Sequence, residues 1–502
     1  MASKLLHLDN PFRSITMDSF SRWVFVVTFC VGLLGLMLGA LLRPWLLSNV
    51  KYLQAFLLLE LIAAALAHYR RVYFPLLIVI FLWAGIHFPL QSSAGYARWL
   101  VLGVGAWAGL ILWLKDHRER HFGSFHLLAL GCVGVAFVST LVSQAPALSL
   151  LKAGSLFLLF LYAATGARLA IEGREAGFVR VLLLSCEILT VLTAAAHLVH
   201  FDFFGNPNAM GAVMGVVVIP ALFCDLAKQV ATDKTILYRR VAILMIAGLL
   251  LYQSRARASI LAAAVSVTLL CIVFRRQIFL LRSAMAVIFF LTAVGVVDPP
   301  QFEDFVSSVT SEVIYKGKSA EFGMMRSREG PWQATAESLR QHPWFGSGFG
   351  TSDISRDQSE SSQIYTISNR EHGNSYLAIA EYMGWAGLVP FGGLIVFVLQ
   401  KAWRMFSWMR RAGDPANPVV PIVMIVTAAL IHAFFEDWLF AVGSYLCVFF
   451  WSLAFVLMDF VVPAATTVRG VVFPPWYSPM NMQQSREMPW ARTSGVSISP
   501  PK

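Results

Sequence analysis

Apolar stretches of about 20 residues, the length a helix needs to cross a hydrocarbon core, recur between short charged clusters from Trp23 to Val462. The pattern predicts about fourteen spans (twelve to fourteen), placed at 23–42, 52–67, 72–90, 97–114, 125–143, 147–170, 178–199, 209–224, 238–253, 258–274, 278–297, 375–400, 419–440 and 443–461. It breaks once, over 298–374, where a long polar segment stands before the last three spans. Inside that segment Trp332, Ala336 and Leu339 recur at helical spacing. Pro331 suits a first helical turn, and HPWFGSGFG closes the run with a proline and glycines. An amphipathic helix lying on a membrane surface is expected there. The GxGxG at Gly346 to Gly350 follows no strand, so it reads as a tight turn and not as a nucleotide loop.

The fold class that follows is all-α: a polytopic integral membrane protein with one long extracytoplasmic loop. Composition excludes a soluble globule, because 57% of the 502 residues are hydrophobic and 13% charged. Most of the net charge of +11 sits in alternate loops: His68 to Arg71, Lys115 to Arg120, Arg168 to Arg180, Lys228 to Arg240, Arg275 to Arg282 and Lys401 to Arg411. Basic residues in short loops stay on the cytoplasmic side. The expected arrangement is therefore a cytoplasmic segment 1–22, spans one to eleven over 23–297, the outer loop 298–374, spans twelve to fourteen over 375–462, and a cytoplasmic tail 463–502. The charge reflects topology and argues against a nucleic-acid partner. The first apolar segment follows about twenty polar residues with no small-residue cleavage pattern after it, so it reads as a retained span. The tail, with seven prolines, lacks the apolar content to fold. The six cysteines, Cys30, Cys132, Cys186, Cys224, Cys271 and Cys447, fall singly inside spans, as packing residues do, and give neither a disulfide frame nor a metal site.

Three places on the expected outer side depart from this pattern. The first is SRARAS, Ser254 to Ser259, which puts Arg255 and Arg257 opposite to the positive-inside tendency. Snorkelling to lipid headgroups explains such arginines. So does an anion, because guanidinium offers a planar fork of donors matched to phosphate oxygens. The second is HFDFFGNPNAMG, His200 to Gly211, where Asn206-Pro207-Asn208 reads as a turn, with Asn208 able to cap the next span, or as a wall of a polar cavity. The third is the loop 298–374, which ends at His372. That histidine is either an interfacial anchor or a general base, since imidazole titrates near neutral pH. Glu371, Glu381, Glu436 and Asp437 are candidate orienting carboxylates, and Lys152 and Glu60 lie within or near spans, paired internally or lining a cavity.

These features, in this order, resemble the O-antigen ligase and O-antigen polymerase superfamily. The matching stretches are ALSLLKAGSLFLLFL from Ala147, GNPNAMGAVM, the SR-x-x-S element at Ser254, R-x-x-x-W through HPWFGSGFG from Arg328 to Gly350, and HGNSYLAIAEYMGWAGL from His372. The resemblance implies a glycosyltransferase at the outer face of the bacterial inner membrane. Its donor would be a glycan on undecaprenyl pyrophosphate and its acceptor a glycan or a lipid; membrane lipids surround it, and it uses no cofactor. It also implies that Arg255 or Arg257 and Arg328 hold the pyrophosphate, with Asn206, Asn208 and Asn374 nearby, and that His372 is the base. The family often places His directly before Asn, whereas Gly373 intervenes here. Two registers therefore stand open, one with His372 as the base and one with Asn374 at the motif's position. Ligase and polymerase share the donor end and are equally compatible. A multi-span transporter or flippase of lipid-linked glycans is the alternative from another class, although it would favour internal repeats and broken helices near mid-membrane.

Overall fold

The computed structural model describes residues 34, 50–87, 89–115, 122–228, 234–274, 326–352, 372–412 and 417–460. The expected spans 23–42 (apart from Leu34) and 278–297, the segment 1–22, the tail 463–502, most of the loop 298–374 and Glu371 lie outside them. The chain divides into units Met1–Met458 and Asp459–Lys502, and the description concerns the first.

Among the described residues all regular structure is helical. In chain order the helices are α1 (Val50–Ala67), α2 (Phe74–Ala84), α3 (Gln91–Lys115), α4 (Ser124–Ser139), α5 (Pro146–Ile171), α6 (Glu175–Leu198), α7 (Pro207–Ala212, continued by Ile219–Lys228), α8 (Lys234–Gln253), α9 (Arg257–Val273), α10 (Arg326–Gln341), α11 (Ser375–Ala412), α12 (Val419–His432) and α13 (Tyr445–Asp459). Among the described residues six stretches are long and apolar enough to cross a membrane: α3, α4 with its 3₁₀ extension to Val142, α5, α6, α7 to Leu226, and α11 to Arg411. α9, α12 and α13 are shorter apolar helices. The separate spans expected at 52–67 and 72–90 form one bent pair, with Lys51–Ala67 and Tyr69–Ala84 meeting at 118°.

The layering follows from which faces are greasy all round. α12 and the Leu446–Leu457 stretch of α13 are buried almost throughout, as expected of helices apolar on every face. They form the centre. α4, α6 and α3 each bury one side in the bundle and expose large apolar residues on the other, such as Leu127, Leu130, Ile188, Leu192 and Ile111. Bare apolar surface of that kind is stable against lipid and not against water. Together with the six spans, it makes the chain a multi-pass membrane protein.

The bundle has two chemically different ends. At one end α5 brings Arg168 over the Trp113 ring, 4.3 Å from its centroid, and to the ring of His126 at the start of α4. Arg240 there joins Glu187 and Asp225. α4 then runs the length of the bundle to Ser139, whose hydroxyl lies 2.7 and 2.6 Å from the carbonyls of Phe345 and Tyr382. That opposite end collects the polar segments singled out by sequence.

Two local expectations change. α10 is already helical at Arg326, so Pro331 sits inside it and not in its first turn. The inward face of α10 is centred on buried Thr335 and Ser338, flanked by half-buried Trp332 and Leu339, while Ala336 is exposed. A polar contact decides that rotation: Thr335 Oγ1 donates to Glu381 Oε2 at 2.8 Å, so the face turns toward a carboxylate that apolar spacing does not register. α10 packs on α11.

α11 is broken at Gly384 (φ 58°, ψ −157°). The HPWFGSGFG turn, with Gly346, Gly348 and Gly350 all at positive φ, docks into the break. Trp385 N donates to Pro343 O (2.8 Å), Ala386 N to Trp344 O (3.0 Å) and Ser347 N to Glu381 O (2.8 Å). Backbone groups left unpaired by the break are thus satisfied by the loop. A side chain at Gly384 would meet the Pro343 and Trp344 backbone in a conformation that costs other residues roughly 1–3 kcal/mol. Gly384→Ala should lower the thermal midpoint in detergent. An unchanged midpoint would mean that the docked turn contributes little to the fold.

Candidate functional site

SRARAS is the link between α8 and α9, and its geometry separates its two arginines. Ser254 is buried, donating to Leu251 O (2.6 Å) and accepting from Ala256 N (3.2 Å). Arg255 takes a left-handed conformation at φ 52°, uncommon outside glycine, which turns the chain sharply. Its side chain is exposed. Arg257 follows as the first residue of α9 and lines a cavity of about 290 Å³ together with Asn208, Ser259, Arg328, His432 and Glu436. Arg255 does not line that cavity. Of the two arginines the sequence leaves open, Arg257 is the one brought to Arg328.

The cap falls on Asn206 and not on Asn208, which takes the cavity-wall place instead. Asn206 is the cap, extended at φ −141° and ψ 120°, and its side chain accepts from Asn208 N at 2.8 Å. Proline restricts the residue before it to extended backbone and itself fits the first helical position, so the cap must precede Pro207. Asn208, already inside the helix, lines the cavity.

Arg328 reaches the cavity from α10 and is held there on two sides. Nη2 bonds Glu436 Oε1 at 2.8 Å, and the guanidinium lies against Gly373 with no room for a side chain at that position. Gly373 also has φ 63°. The left-handed backbone, more than the contact with Arg328, favours glycine between His372 and Asn374. Asn374 caps α11, its Oδ1 accepting from Tyr376 N (2.8 Å) and Leu377 N (3.2 Å).

His372 lies behind this wall, with no exposed surface. Its Nδ1 is 3.1 Å from Asp437 Oδ2, an oxygen that also accepts the His372 backbone N–H at 2.8 Å. Nε2 is 3.2 Å from Glu381 Oε2 and 3.5 Å from Ser352 Oγ. Burial alone would disfavour the imidazolium, but the bonds and charges of Asp437 and Glu381 outweigh it and hold the pKa of His372 above its ordinary value. Burial would likewise raise Asp437, yet the contacts with His372 hold its carboxyl below the usual range. Glu381 and Asp437 thus stand where orienting carboxylates are expected, while Glu436 serves Arg328. Lys152 pairs internally, donating to Gly350 O at 2.5 Å.

Sequence reasoning missed His432, Ser259 as a cavity residue, and Trp438. His432 Nε2 lies 3.1 Å from Ser259 Oγ, and Trp438 Nε1 donates to His432 Nδ1 at 2.9 Å. The available signal was a histidine closing an apolar run just before the acidic pair in FFEDW.

An all-helical multi-pass membrane protein with two arginines from different helices in one cavity at a bundle end is the class that fold and site define. Residues 241–392 match the family model described as O-antigen ligase, the family that the motifs of the sequence resemble. No curated protein matches the chain. The matched segment holds Arg257, Arg328, His372 and the break in α11; His432, Glu436 and Asp437 lie beyond it.

Proposed function

We propose that this protein transfers or polymerises glycans carried on undecaprenyl pyrophosphate at the outer face of the bacterial inner membrane, with the cavity end of the bundle facing outward. The observation that carries the reading is the meeting of Arg257 and Arg328 in one cavity beside Asn208. Two guanidinium groups lining one cavity, one of them steadied by Glu436, offer the planar donors that suit a phosphate anion. A diphosphate on a lipid has the charge and, with its tail among the helices, a route to a site at helix ends.

In the proposed reaction the acceptor's hydroxyl oxygen bonds to the anomeric carbon of the donor glycan. The carbon–oxygen bond to phosphate breaks, and the lipid diphosphate leaves with the electron pair. Arg257 and Arg328 stabilise the charge that grows on the departing oxygen. His372 takes the hydroxyl proton on Nε2, with Asp437 fixing the ring through Nδ1. The acceptor hydroxyl then occupies the place beside Nε2 now bordered by Ser352 and Glu381. No other group need supply chemistry.

Loss of the gene, read on a gel ladder of envelope glycan, tests the activity. Unattached long lipid-linked chains indicate a ligase, and collapse to single units a polymerase. An unaltered ladder removes the proposal.

The pH profile tests the base. A neutral imidazole is the active form, so rate falls as pH drops through the pKa of His372, which its carboxylates hold high. Glu381→Gln removes one of the charges that favour the imidazolium. The acidic limb of kcat should move to lower pH, and the variant should keep a larger share of its own maximum near pH 6 than the native protein does. A limb that stays in place would mean that another group titrates.

A further inference from the structure

The cavity contains a hydrogen-bond chain whose direction is fixed by one member that can only donate. The indole nitrogen of Trp438 carries a hydrogen and has no acceptor capacity. Its bond to His432 Nδ1 (2.9 Å) therefore requires a lone pair on Nδ1, which leaves the ring hydrogen of neutral His432 on Nε2. That hydrogen points at Ser259 Oγ, 3.1 Å away. Ser259 accepts it, and its own hydroxyl hydrogen is left to donate elsewhere. Among the described residues no hydrogen bond donated by that hydroxyl is found. Ser259 has no exposed surface and His432 is 3% exposed, yet both line the cavity that holds Arg257 and Arg328. A buried donor without an acceptor is costly, and a ligand oxygen in the cavity would meet the need.

We infer that Ser259 is a third donor to the anion held by the two arginines. It gives its hydroxyl hydrogen to a phosphate oxygen of the lipid diphosphate, and His432 and Trp438 are positioning residues that aim it. The inference rests on the diphosphate reading of the cavity. It adds a neutral donor whose direction, unlike that of a flexible guanidinium, is set by a chain reaching into α12 and the loop after it. The arrangement has a chemical reason. Glu436 stands in the same cavity and is bonded to Arg328, so a neutral donor from another helix adds a hold on the phosphate that this ion pair does not supply.

The test uses the full-length protein in nanodiscs and displacement of radiolabelled polyprenyl diphosphate. Ser259→Ala should weaken binding by about tenfold, the usual effect of losing one bond to a charged group, with an unchanged thermal midpoint. Ser259→Thr, which keeps the hydroxyl, should bind close to native. Trp438→Phe, which frees the tautomer of His432, should show a smaller loss in the same direction. Native-like binding by Ser259→Ala beside strong loss in Arg257→Lys overturns the inference and leaves the arginine site standing. Native-like binding by both variants overturns the diphosphate reading as well. Should Ser259→Ala not fold, Ser259→Cys, of similar size and a weak donor, is judged by the same criteria.

Discussion

Arg257→Lys and Arg328→Lys each lower glycan transfer from a polyprenyl-diphosphate donor by about 100-fold or more, the scale on which loss of one preorganised donor at a developing negative charge is felt. Lysine keeps the charge but not the planar fork, so a site that merely needed positive potential would tolerate the change while a phosphate clasp would not. The two variants should differ in one respect. Arg328 also balances Glu436, and lysine there leaves that carboxylate less well paired beside the donor, so binding of the diphosphate should suffer more than in Arg257→Lys. Arg255→Lys should stay close to native, since Arg255 is exposed and does not line the cavity. Purified variants assayed with a lipid-linked donor decide the matter. Full activity in both Arg257→Lys and Arg328→Lys would remove the clasp.

His372→Gln should lower kcat by about 100- to 10,000-fold, the usual worth of general-base catalysis, with little change in affinity for the lipid diphosphate. The separation follows from position: His372 is buried behind Gly373 and does not line the cavity that holds the arginines. The alternative is that His372 serves as a buried cation tying Asp437 and Glu381 together. Asp437→Asn discriminates, because loss of orientation lowers kcat at an unchanged thermal midpoint, whereas loss of a structural tie lowers the midpoint. Parallel loss of midpoint and activity in both variants, with a pH profile that does not move, would assign His372 to structure.

The long helices were legible because lipid imposes one rule, about 20 apolar residues per crossing, and α3, α5 and α6 obey it. The polar end was legible for the same reason inverted: arginines, Asn-Pro-Asn and a histidine stand out where hydrocarbon is the default. The parts that were not legible are set by partners distant in sequence. The break in α11 depends on the turn at 343–347 taking up its backbone groups, so AEYMGWAGL by itself reads as unbroken helix. The inward face of α10 was set by Glu381, 46 positions away. Arg255 and Arg257 part because Arg255 itself takes a left-handed conformation between two helices, which no periodicity reports. His432 acquires its role from Trp438 and from Ser259, 173 positions earlier. π-helical turns at Ala163–Ala167 and Val213–Val218 carry no residue signature and register the local packing of α5 and α7.

The most direct measurement is a cryo-electron microscopy map of the full chain in a lipid nanodisc with polyprenyl diphosphate added. Diphosphate density is expected between the guanidinium groups of Arg257 and Arg328, with the lipid tail leaving among the helices. Diphosphate density elsewhere, with the two arginines apart and facing headgroups, would contradict it.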